Sequence, residues 1–170
     1  MNRNAMKSYF RTMPLALACG VLLSACGGGG GDTPSDPVDP IDPYVGTWVG
    51  ACAADKGNKW LSYTWSFAKA GPSTATGELH LYQFGNSTCQ GKPLAGESGV
   101  YPLVTLVGPT TASGKAADKI AVTSKSNKVM RYAFAVEGGV LYSSLGAQAP
   151  LDPEGFPASL KLDYPYQLKQ

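Results

Sequence analysis

Between Lys59 and Ala68 the chain reads KWLSYTWSFA, an alternation that no helix accommodates. Side chains alternate faces along a strand, so Leu61, Tyr63, Trp65 and Phe67 share one face and Trp60, Ser62, Thr64 and Ser66 the other. One apolar and one mostly polar face describe a half-buried antiparallel strand. The pattern recurs in YVGTWVGA (Tyr44–Ala51), TGELHLYQF (Thr76–Phe84), GVYPLVTLV (Gly99–Val107), KIAVTS, KVMRYAFAV, GVLYSSL and a closing SLKLDYPYQL. Pro102 inside its run predicts an edge or a bulge. Lys125-Ser126-Asn127 and Glu137-Gly138-Gly139 predict tight hairpins. About eight short strands without a helix predict an all-β domain over residues 44–170. A small antiparallel up-and-down barrel hides its edges best, with a β-sandwich as the alternative.

The region before the domain has a different grammar. Arg3, Lys7 and Arg11 precede an apolar run of 11 residues, Met13–Leu23. At about 1.5 Å per residue that run covers about half a bilayer core, too little for a transmembrane helix and suited to an export signal. Leu23-Ser24-Ala25-Cys26 follows. This stretch resembles the lipobox of bacterial lipoproteins at all four positions. The resemblance implies removal of residues 1–25, a diacylglycerol on the Cys26 sulfur and acylation of the new amino group. Two or three acyl chains anchor stably where one does so marginally. Gly27 after the cysteine implies, by the same resemblance, sorting to the outer membrane.

Residues 26–43 complete the connection. Five glycines, Gly27–Gly31, give flexible chain, and the Asp-Pro-X steps from Asp36 to Pro43 predict an extended, solvated tether.

Two cysteines then remain, Cys52 and Cys89, since Cys19 leaves with the signal and Cys26 takes lipid. An even pair in an oxidising compartment predicts a disulfide closing a loop of about 38 residues, worth roughly 4 kcal/mol. Two distant cysteines and the single His80 make a poor metal site, so neither metal nor cofactor is expected.

Gly46-Thr47-Trp48 carries a second resemblance, to the Gly-X-Trp of lipocalins and related small β-barrels. In those the tryptophan plugs one barrel end against a late-strand cation, which implies a Trp48–Arg131 pair here. The Asp152-Pro-Glu-Gly155-Phe156-Pro157 stretch resembles the closing segment of small exported lipoproteins.

Chemistry is sparse. His80 alternates with Leu79 and Leu81 and faces away from them, a solvated position; no Gly-X-Ser-X-Gly elbow and no paired carboxylates at strand spacing occur. A non-enzyme is expected. Three of the 14 cations precede Cys26 while all 12 acids follow it, so the mature chain carries 11 against 12 and nucleic acid is not an expected partner. Lys115, Lys119, Lys125 and Lys128, with Arg131, form a candidate basic patch; keeping edge strands soluble is the competing role.

Two functions remain open. One is an envelope lipoprotein whose head is a non-catalytic interaction module, meeting an envelope protein or a polysaccharide. The alternative is a lipocalin-like barrel taking a small apolar or amphiphilic ligand. Trp60, Tyr63, Trp65, Tyr82 and Tyr101 are the candidate surface for either. Outward aromatic rows favour docking; a lined void favours capture.

Overall fold

The computed structural model describes residues 38–145 and 150–170. The expected signal, Cys26 and the first part of the expected tether lie outside the described residues. Nine strands follow one another: β1 Gly46–Gly50, β2 Ala53–Asp55, β3 Lys59–Gly71, β4 Thr74–Phe84, β5 Ala95–Ala112, β6 Lys115–Thr123, β7 Val129–Glu137, β8 Val140–Ser143 and β9 Tyr166–Leu168. Every pairing is antiparallel. Because β1 pairs with both β3 and β9, the sheet closes into an eight-stranded up-and-down barrel, with β2 as a short extra strand on β3. Closure removes most free edges, which is why the barrel prevails over the sandwich.

Hairpins of two residues set the register. Gly138-Gly139 joins β7 to β8 with φ of 59° and 77°, a left-handed pair that matches strand twist. Ser113-Gly114 does the same between β5 and β6 (φ 51° and 74°), a turn the sequence reading missed by ending that strand at Val107. Pro102 sits where the β4–β5 register shifts between Ala75 and Gly77, the bulge its missing N–H requires.

The inner face follows the alternation. Trp48, Trp65, Phe67, Ala75, Val104, Ile120, Val122, Phe134, Leu141 and Tyr166 form one buried core. One end, here the near end, is closed by residues before β1. Asp42–Tyr44 is a 3-10 turn, not part of the first strand, and Ile41 and Tyr44 are 1% and 4% exposed. The domain therefore starts before residue 44. Asp39 and Asp42, assigned to the solvated tether from sequence, instead clasp Lys69 at 2.7 and 2.6 Å. Lys69 holds the Asp42 carboxyl below the usual range.

The expected final strand SLKLDYPYQL is largely a strap. Only Tyr166–Leu168 joins the sheet; before it, the chain crosses the outside of the barrel. Leu160 packs on Ala112, Ala117, Ala133 and Ala135, so β7 is buried on both faces. Small alanines on the outer wall make room for it. Ser113 fastens the strap, donating its N–H to Ala158 and accepting the Leu160 N–H at its hydroxyl.

Candidate functional site

Three regions bear on function: the interior, the far end, and the outer wall of β3–β5. In the interior Trp65 is fully buried, with ring centroids of Phe67, Tyr101, Tyr132 and Phe134 at 5.3, 5.8, 5.9 and 5.8 Å. Trp48 lies beside it across β1–β3 and donates its indole N–H to the Tyr44 carbonyl at 2.7 Å. The barrel's axis is thus occupied by protein. The Trp65 Nε1 donor makes no hydrogen bond, though the Tyr166 hydroxyl is its polar neighbour.

At the far end the interior rises to a rim of tyrosines. Tyr63 packs edge-on against Tyr164 at 5.8 Å, and Tyr164 against Tyr166 at 5.5 Å. The Tyr164 hydroxyl accepts the Tyr63 N–H and donates to the Leu61 carbonyl. Burial pushes Tyr164 up to about 12 and raises Tyr166, Tyr132 and Tyr101, so all four are neutral donors at ordinary pH. Cys52 and Cys89 lie at disulfide distance, Cα to Cα 5.5 Å, tying the β1–β2 connection to the β4–β5 connection at this end.

The third region arises because β3, β4 and the start of β5 extend past the other strands. Pairing of β5 with β6 begins only at Leu103–Thr123, so Ala95–Pro102 pairs with β4 alone. The three strands form a lip with two faces. Inward rows are Leu61–Gln83–Ala95, Tyr63–Leu81–Glu97 and Trp65–Leu79–Gly99. Outward rows are Trp60–Phe84, Ser62–Tyr82–Gly96 and Thr64–His80–Ser98. On the outward face His80 and Tyr82 stack with centroids 5.7 Å apart and planes 2° from parallel, and Phe84 continues the row at 6.5 Å from Tyr82. His80 Nε2 meets Glu78 at 3.2 Å.

The five candidate aromatics therefore divide. Tyr63, Trp65 and Tyr101 point inward, while Trp60 and Tyr82 point outward with His80; Phe84, on the same side of the sheet, is buried. His80 belongs to that surface too, and its signal is in the sequence, where His80 and Tyr82 alternate with Leu79 and Leu81.

The Trp48–Arg131 pair is not formed. Arg131 is exposed on the outer face of β7, its guanidinium 5.7 Å from the Phe156 ring on the strap, while Trp48 faces inward. Tyr44 takes the plugging role, donating its hydroxyl to Asp118 at 2.5 Å and packing 6.2 Å from Phe134. The basic patch is also dismantled. Lys115 pairs with Glu137, and Lys119 with Asp152 and Glu154 at 2.8 and 3.0 Å; of the patch, Lys125 and Lys128, on the β6–β7 hairpin, and Arg131 carry no ion pair among the described residues. Asp152 earns its place in the Asp-X-X-Gly-Phe-Pro stretch by accepting the Glu154 and Phe156 N–H groups at 2.9 and 2.8 Å. Among the described residues no cluster could hold a metal ion. No known protein family, characterised protein or solved structure matches the chain.

Proposed function

We propose that the chain is a membrane-anchored envelope lipoprotein whose closed barrel is a non-catalytic interaction module, making contacts through its outer wall and rim. The observation that carries this is the filled interior: Trp48, Trp65, Phe134 and Tyr166 are each at most 2% exposed along the axis. A ligand there would have to displace packed aromatic rings, each worth about 3–5 kcal/mol to its surroundings. The outward, half-buried Trp60, His80 and Tyr82 add support, because such side chains serve recognition more than solubility. The proposed anchor is lipid on Cys26 after removal of residues 1–25, and the proposed address is the outer membrane, on the sequence of Leu23-Ser24-Ala25-Cys26-Gly27.

One observation favours the second reading, a lipocalin-like barrel with a small ligand. The Trp65 Nε1 donor is unbonded, and Tyr166 beside it lines, with Tyr63, Leu145 and Tyr164, a cleft of about 330 Å³. An apolar fluorescent probe, N-phenylnaphthylamine, separates the two. The purified protein is expected to take up none, while Trp65→Ala, which opens the axis, takes up one equivalent. Stoichiometric uptake by the unaltered protein contradicts the filled-barrel reading.

A further inference from the structure

The free edge of β5 is the least explained feature of the barrel. From Ala95 to Pro102 the strand bonds β4 on one side, and its other side carries backbone N–H and C=O groups with no strand beside them among the described residues. An exposed edge of this length invites pairing, and chains usually blunt it with charged side chains, proline or a bulge, or cover it. Here blunting is confined to Glu97 and, at the end, to Pro102 and its bulge; there is no lysine or arginine, and Gly96, Ser98 and Val100 are exposed between them.

Beside the edge lies a groove on the inward face of the lip. Tyr63, Leu79, Leu81, Gly99 and Tyr101 line a space of about 250 Å³, and a second of about 160 Å³ continues it past Leu61, Gln83 and Ala95. Glu97 lines both and is the only charged residue in either. It is exposed and makes no ion pair among the described residues. An edge that offers backbone pairing, a mixed floor of leucines and tyrosines and one unpaired carboxylate together specify an occupant.

We propose that the β5 edge receives an extended peptide strand from a partner protein, with apolar side chains in the groove and a lysine or arginine opposite Glu97. Main-chain hydrogen bonds to Ala95–Pro102 supply affinity, and alternate side chains reaching the groove supply selection. A second copy of β5 fits less well, because Ala95–Pro102 brings no cation to Glu97. This rests on the interaction-module reading and names its partner.

The test uses the full chain in mild detergent and an acetylated octapeptide alternating valine with threonine around one central lysine. Hydrogen–deuterium exchange is expected to slow at Ala95–Pro102 when the peptide is added. A central glutamate is expected to weaken binding about two- to fivefold, the worth of one exposed ion pair. Glu97→Lys is expected to reverse that preference, and N-methylation of alternate peptide amides to abolish binding. Absence of protection at millimolar peptide, indifference to N-methylation, or an unreversed preference in Glu97→Lys overturns the proposal. Protection of the same segment that rises with protein concentration and no peptide also overturns it, in favour of self-pairing. None of these outcomes touches the filled interior, which the apolar probe tests separately.

Discussion

Gly50 has no side chain because Tyr164 occupies its space: a Cβ there would stand 2.5 Å from the Tyr164 ring and 3.0 Å from that of Tyr166. Gly50→Ala is therefore expected to cost about 1–3 kcal/mol in denaturant unfolding, by pushing the rim tyrosines off their packing. Tyrosine titration belongs to the same scale. Burial, with the Asp118 carboxylate, raises Tyr44; burial raises Tyr166; Tyr164 is pushed up to about 12. Folded values above the unfolded value, about 10, mean that this stabilisation is fully present below pH 10 and is lost as pH rises beyond it. Ultraviolet titration is expected to show these tyrosines ionising with global unfolding; smooth ionisation near pH 10 in the folded protein contradicts their burial. Arg131 shows why residue roles were hard to read. Period two places Met130, Tyr132 and Phe134 opposite Arg131, Ala133 and Ala135, but both sets on β7 are buried in part, so alternation alone did not say which faced the axis.

Elements were more legible than roles. The alternation of Lys59–Ala68 set the inner face of β3 correctly because one side of a closed barrel is apolar and the other polar. The strap was illegible for the same reason: Leu160 and Leu162 look like strand positions, but Leu160 meets alanines on the outer wall and Pro165 cannot donate to a ladder. Its fastening is electrostatic as well. Lys119 holds Asp152 below the ordinary carboxylate value of 3.8, so the clip contributes above that value and is lost as pH falls through the lowered one. Asp152→Asn is expected to lower the melting temperature at neutral pH and flatten the acid limb of the stability curve below about pH 4. An unchanged acid limb would mean the strap is held by Leu160 and Ser113 alone. Nor could the spacer's repeat announce that Asp39, Ile41 and Asp42 belong to the fold, since proline-rich periodicity hides a single apolar anchor.

At the scale of the whole molecule the barrel is closed by its weakest strands, because β9 contributes three residues between β1 and β8. The Cys52–Cys89 link reinforces the far end, spanning 37 residues. Removing it by a double Cys52→Ala/Cys89→Ala change is expected to cost up to about 4 kcal/mol while leaving the filled core intact. Undiminished stability on thermal unfolding would show that the link restrains little. The same scale holds the anchor: Cys26→Ala is expected to abolish incorporation of labelled palmitate, and retained label contradicts attachment at that sulfur. What the molecule does follows from whether its axis is full. Native mass spectrometry of the full chain purified from cells that produce it, before and after organic extraction, tests this most directly. A mass equal to the polypeptide with the proposed acyl chains is expected in both spectra. A further stoichiometric small mass, present before extraction and gone after it, would mean that the barrel holds a ligand and that its interior, not its outer wall and rim, is the working surface.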